Sequence, residues 1–164
     1  MLDVLNAFSP AIEEEFLDNS ELCLIEKEMA FCYWQHSRVI AHDQDNSLEG
    51  HVSPNRTSKT AHEYFFPEPL VRLVRTIEKR VAARLHLLPS HFESWQMTRY
   101  RKGDAFSYHH DAGSFLYEEA GERLYTTQIY LNTPGGCCQV KMLVACGSDL
   151  AKGVHAAAVA LAHV

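Results

Sequence analysis

An α+β domain is the fold class this sequence predicts, and three observations predict it. At 164 residues the chain has the length of one domain with a single substantial core. Its most periodic stretch sets Leu70, Leu73, Val74, Ile77, Val81 and Leu85 on one helical face. Its clearest alternation, Tyr125, Thr127, Ile129 and Leu131, has the period of two that belongs to a strand. Helices come first and short strands follow, with segregated rather than interleaved layers as the implied layout.

The elements follow in chain order. Ser9-Pro10 reads as an N-cap with proline at the first helical position, and Glu13, Glu14 and Glu15 suit the positive end of a helix dipole. A second helix is expected to open at Ser20 and to turn Leu22, Ile25, Met29, Cys32 and Tyr33 inward. Residues 1–52 thus form an N-terminal helical region, with 41–58 a polar, turn-rich loop entering a short strand. Pro67 and Pro69 introduce the periodic helix, which runs to Leu87 and stops before Pro89. Arg72, Arg75, Lys79, Arg80 and Arg84 are interspersed with its apolar positions and read as its solvated face. Residues 92–100, 105–112 and 123–132 read as strands.

Bulk properties exclude several functions. A net charge of -6 and a pI near 5.9 give no electrostatic footprint for nucleic acid. The start, MLDVLNAFSPAIEEEF, is acidic and lacks the basic and apolar segments of a signal peptide. No run approaches the roughly 20 apolar residues that cross a bilayer. Five cysteines, an odd number without a C-x-x-C pair, make neither a disulfide nor a zinc framework. A reducing, cytoplasmic setting suits such free thiols.

The chemistry concentrates in RYRKGDAFSYHHDAG. If 105–112 is a strand, His109 and Asp111 share a face with Ala105 and Ser107, while Phe106, Tyr108 and His110 face the other way. An imidazole and a carboxylate one residue apart can hold one metal ion. A further histidine from another strand would complete a two-His-one-carboxylate site, which leaves positions open on non-haem Fe(II). The plainer alternative is a pair of surface polar residues.

The surrounding residues resemble the prolyl-4-hydroxylase-like branch of the 2-oxoglutarate/Fe(II) dioxygenases. The family order is matched by Arg56-Thr57-Ser58, Ile77-Glu78-Lys79-Arg80, then Pro89, Glu93, Gln96 and Tyr100. It continues through Gly103-Asp104, Phe106, His109 and Asp111, then Arg123, Thr126, Tyr130-Leu131-Asn132 and Gly135-Gly136. The match spans residues 53–136 in unbroken order, about half the chain. The resemblance implies a double-stranded β-helix, or jelly-roll, with Fe(II) in its mouth. It implies 2-oxoglutarate as cosubstrate, ascorbate as reductant, and O2 as the oxidant that hydroxylates a C–H bond of a protein, peptide or small molecule. His109 and Asp111 would be metal ligands, and Tyr100 would hydrogen-bond the distal carboxylate of 2-oxoglutarate. Arg123 and Thr126 would form a wall of the site.

Beyond Gly136 the match stops. All 17 aromatic residues lie at or before Tyr130, while three of the five cysteines fall in the last 28 residues. Residues 137–164 are therefore expected to be a divergent or frame-shifted tail that leaves the jelly-roll incomplete. His155 is the candidate third ligand. It lies 44 residues after Asp111 (155 minus 111), closer than the family spacing, in GVHAAAV, which favours helix. No basic residue stands at the family's distance beyond it, and Lys152 is the nearby substitute. Two other readings stay open beside the dioxygenase: a non-catalytic fragment or pseudoenzyme of that family, and a cupin-like metal-binding protein.

Overall fold

A computed structural model describes residues 11–42, 48–107, 123–131, 141–146 and 156–163. The described residues form nine strands and two α-helices. In order they are β1 (Ala11–Glu14), α1 (Asn19–Met29), β2 (Gln35–His36), β3 (Arg38–His42), β4 (Leu48–Val52), β5 (Lys59–His62), α2 (Glu68–Leu85), β6 (Gln96–Arg99), β7 (Arg123–Tyr130), β8 (Lys141–Cys146) and β9 (Ala156–His163). Seven strands make one antiparallel sheet in the order β1-β8-β7-β9-β6-β5-β2, and β3 and β4 pair separately. This mixture of helix and antiparallel sheet is the α+β class that the sequence predicts.

α2 forms where the periodicity places it. Pro67 caps it and Pro69 sits in its first turn, where no intrahelical N–H is needed. It ends two residues earlier than expected, because His86 takes the left-handed conformation (φ 56°) and Leu87 N–H turns back to Ala82 O at 2.9 Å. Its inward Leu70, Val74, Ile77 and Val81 pack with Leu22 and Ile25 of α1 and with Ala61, Met97 and Ile129 of the sheet. One face of the sheet is thereby covered by both helices. The arginines of α2 are more than a solvated face. Arg75 reaches Glu63 and Glu78, Arg80 bonds Glu21 at 2.6 Å, and Arg84 grips Glu13 through two contacts of 2.6 Å.

The helix expected after Ser9-Pro10 is replaced, from Ala11, by strand β1. Its glutamates would suit a helix start, but Glu13 is held by Arg84 and the backbone pairs with β8, from Ala11↔Val144 to Glu14↔Lys141. Glu15 then turns the chain (φ 55°), and Phe16 is buried beneath the guanidinium groups of Arg80 and Arg84, 5.0 and 4.9 Å from its ring. α1 opens one residue before Ser20 on an Asp18 capping box: Asp18 Oδ1 accepts from Ser20 N and Glu21 N, and Glu21 Oε2 accepts from Asp18 N at 3.0 Å. The helix stops at Met29, so Cys32 is buried from the following turn and Tyr33 is exposed rather than inward. The polar stretch read as a loop holds β4 and the end of β3, which pair antiparallel.

The tail brings the largest correction. Lys141–Cys146 and Ala156–His163 are strands on either side of β7, and β9 also pairs β6. The alanine-rich end, expected to prefer helix, is therefore a central strand. Intrinsic propensity is a weak preference, and a ladder on both edges outweighs it. No described helix is long and apolar enough to cross a membrane.

Candidate functional site

On the sheet's second face β5, β6 and β7 present polar side chains, and strand alternation shows why. Met97 and Ala61 pair across β6 and β5 and point into the helix-covered core. Their neighbours Gln96, Thr98, Thr60 and His62 therefore point the other way. On β7 the core residue is Ile129, so Thr126, Gln128 and Tyr130 share that opposite face. Thr60, Thr98 and Thr126 are buried there, and His62, Gln96, Gln128 and Tyr130 are half-buried. The edge continues the pattern: Ser37 Oγ lies 2.8 Å from Ser58 Oγ and 2.6 Å from Thr60 Oγ1, three hydroxyls with almost no exposure. Hydroxyls, amides, a phenol and an imidazole are what β2, β5, β6 and β7 present on this face, while Glu14 of β1 falls on the same face at the sheet's other end, its partner Lys141 standing opposite Tyr130.

Two groups on the face are perturbed. Burial pushes the Tyr130 phenol above its ordinary value, and its O–H donates to Gln128 Oε1 at 3.3 Å. His62 is pushed below its ordinary value, first by burial, then by the positive charges of Arg56 and Arg38. Because the folded state disfavours the charged imidazole, His62 contributes stability above its unfolded value that is lost as pH falls through the lower folded one. We expect its proton NMR titration to have a midpoint below the ordinary 6.5. Arg38→Ala should move that midpoint up, and a midpoint unchanged by the substitution would remove Arg38 as a cause.

Tyr100 directly follows β6 and has the parity of Gln96 and Thr98, so the strand aims its position along the polar face. It is half-buried. The segment leading to His109 and Asp111 is anchored near that face. A turn through Gly103, at φ 96° where a Cβ would be strained, is closed by Asp104 N–H on Arg101 O at 2.9 Å. Ala105 and Ser107 then bond back: Thr57 N–H to Ala105 O at 3.0 Å, Ala105 N–H to Thr57 Oγ1 at 2.9 Å, and Ser107 N–H to Asn55 O at 2.8 Å. Phe106 forms a bridge with Arg56, whose guanidinium lies 4.5 Å from its ring centre. The strand expected over 105–112 is thus an extended, bridged segment as far as Ser107. His109, Asp111 and His155 lie outside the described residues. Among the described residues, no three His, Cys, Asp or Glu side chains converge as a metal site.

Several matched residues hold the frame of the site. Glu93 and Arg123 form a bidentate pair at 2.5 and 2.7 Å, tying the approach to β6 to the start of β7. Glu78 accepts from Trp95 Nε1 at 3.0 Å. Thr126 is buried on the polar face. The residues that the sequence reading missed are Ser37, Thr60, His62, Thr98 and Gln128. Only the alternation Gln96, Thr98, Tyr100 against Trp95 and Met97 was available to signal them.

No family model matches the sequence, and no curated protein matches it. Among solved structures, the fold is similar to that of the viral collagen prolyl hydroxylase of Paramecium bursaria Chlorella virus-1, determined as its 2OG complex. The TM-score is 0.53 at 16% identity, over 93% of each chain. That likeness is one of fold.

Proposed function

We propose that this chain is a 2-oxoglutarate- and Fe(II)-dependent dioxygenase of prolyl-hydroxylase-like type, built on a jelly-roll, that hydroxylates a C–H bond. The observation that carries this reading is the set of polar side chains that β2, β5, β6 and β7 place on one face, none of them a carboxylate, with β9 between β6 and β7. Its buried hydroxyls and amides suit the oxygens of a small keto acid, and an anion there meets no carboxylate of these four strands. The shared fold with a prolyl hydroxylase captured with 2OG supports it.

The described donor set fits the cosubstrate, while the metal falls to residues beyond Ser107. His109 and Asp111 would hold Fe(II), with His155 as the third ligand. When bound, iron and 2-oxoglutarate supply an oxidative decarboxylation: 2-oxoglutarate, O2 and R–H yield succinate, CO2 and R–OH, with ascorbate keeping the metal reduced. The chain's own residues bind and orient. The Tyr100 phenol donates to the distal carboxylate, and the Thr98 and Thr126 side of the sheet keeps water from the reacting end.

The test is succinate formation followed by NMR with Fe(II), 2-oxoglutarate and ascorbate, beside 2-oxoglutarate affinity measured by calorimetry. His109→Ala should abolish turnover. Tyr100→Phe should weaken cosubstrate binding by about tenfold, the worth of one hydrogen bond to a charged group. Succinate release that survives His109→Ala, or a wild-type chain that binds no 2-oxoglutarate, would overturn the reading.

A further inference from the structure

Tyr100 stands one residue past the last described ladder pair of β6. Arg99 pairs Lys59 of β5 on one side and Ala156 of β9 on the other, and the described ladders on both sides end there. Strand ends fray first, so the direction of the Tyr100 phenol depends on what fixes Arg99. The pair with Lys59 works against it, because like charges directly opposite destabilise a sheet.

What holds Arg99 is Trp34. The guanidinium carbon lies 4.3 Å from the centre of the Trp34 ring, and Nε is buried without a hydrogen-bond partner. Among the described residues no hydrogen bond or ion pair engages this guanidinium, so the stack on the indole is what positions it. Trp is the strongest ring for such a contact, and Trp34 and Arg99 are both half-buried, which strengthens it further. Trp34 directly precedes β2 (Gln35–His36), and β5 lies between β2 and β6, so the contact spans one strand to reach the next. The indole is itself oriented from α1: Nε1–H donates at 3.1 Å to the carbonyl of Met29, the last residue of that helix. Leu22 and Ile25 seat α1 in the core. A line of fixed contacts thus runs from the core through Met29 and Trp34 to Arg99.

We infer that Trp34 is a positioning residue for the cosubstrate site: its stack on Arg99 fixes the end of β6 and so aims the Tyr100 phenol. The inference rests on the dioxygenase reading above. Arg99 and Tyr100 alternate to opposite faces of the strand, so the indole and the bound keto acid lie on opposite sides of the sheet. Trp34 therefore acts on the cosubstrate only through the strand. A hydrogen bond to a carboxylate weakens steeply as its angle and length depart from the optimum, so a loosened strand end is felt at the phenol.

A double-mutant cycle on 2-oxoglutarate affinity, measured by anaerobic calorimetry on the full chain with Fe(II), tests it. Trp34→Leu should weaken binding about threefold to tenfold, within the worth of one cation–π contact. Trp34→Phe keeps a ring face and should lose less; it carries the cycle if Trp34→Leu does not melt cooperatively. Added to Tyr100→Phe, either substitution should cost nothing further, which a general loss of stability would not reproduce. Arg80→Ala removes another guanidinium–ring contact, with Phe16 beside β1 at the sheet's far end, and should leave the affinity unchanged. The 13C-tyrosine NMR signal of Tyr100, assigned by its loss in Tyr100→Phe, should shift or broaden in the Trp34 variants without any cosubstrate. Additive losses in the cycle, wild-type affinity in the Trp34 variants, an equal loss in Arg80→Ala, or an unmoved Tyr100 signal would each overturn the inference. A wild type that binds no 2-oxoglutarate overturns the catalytic reading instead, and the Tyr100 signal then decides whether Trp34 positions the phenol.

Discussion

Truncation after Gly136 is expected to abolish cooperative folding. The deletion removes β8 and β9, which flank β7 on its two sides. β1 loses its one sheet partner among the described residues, and β6 loses the neighbour that links it to β7. Of the seven-stranded sheet only β6-β5-β2 remains paired among the described residues, beside the separate β3–β4 pair. β7 spans eight residues and carries Ile129 at 1% exposure, so stripping both edges leaves backbone donors and acceptors unpaired beside the core. Each buried unsatisfied group costs about 1–3 kcal/mol, and a whole domain has only about 5–15 kcal/mol in hand. The truncated chain should retain some far-UV dichroism from α1 and α2, show no sharp thermal transition, and aggregate through its opened strand edges. A cooperative melt matching the full chain would mean that β8 and β9 contribute nothing to the core.

Where the structure departs from the sequence reading, interactions distant in sequence outweigh local preference. α2 was legible because Leu70, Val74, Ile77 and Val81 carry their burial in their own spacing. β1 was not, since its glutamates imitate a helix start and the deciding partner, Arg84, lies 71 residues from Glu13. β9 was misjudged for a similar reason: alanines favour helix until Ala158 is set between Met97 and Ile129 by two ladders. Arg75, Arg80 and Arg84 looked solvated because carboxylates distant in sequence meet them, from the 3-10 turn at Glu63–Phe65, from α1's Glu21 and from β1's Glu13. At the site, Tyr100 and its alternation with Thr98 and Gln96 could be read from the chain. The Ser37–Ser58–Thr60 cluster could not, because its members are 21 and 23 residues apart and meet only through strand register.

Arg75→Ala should be among the most destabilising single substitutions, through two carboxylates rather than through the arginine itself. The side chains of Glu63 and Glu78 are only 7% and 5% exposed. Both turn toward Arg75, which bonds Glu63 through Nη2 and Glu78 through Nη1. Trp95 supplies the remaining donors: its backbone N–H to Glu63 Oε2 at 2.9 Å and its Nε1–H to Glu78 Oε2 at 3.0 Å. Without the guanidinium, two buried negative charges share two neutral donors and no cation. Breaking a buried pair in this way costs about 3–5 kcal/mol. Arg75 is itself 48% exposed, so water moderates the loss and sets it near the lower end. At about 2–4 °C per kcal/mol for a chain of this length, the melting temperature should fall by roughly 6–12 °C. Arg72→Ala is the internal control: its pair with Glu68 is 65% and 80% exposed, and its loss should be within about 0.5 kcal/mol. Arg75→Lys keeps the charge without the fork that spans two carboxylates, so it should fall between the two. Equal effects of Arg75→Ala and Arg72→Ala would reduce the network to an ordinary surface pair. Because Trp95 stands immediately before Gln96, the same substitution should loosen β6 and with it the placement of Thr98 and Tyr100. Hydrogen exchange at the amides of Met97 and Thr98 should then quicken more than exchange in α1.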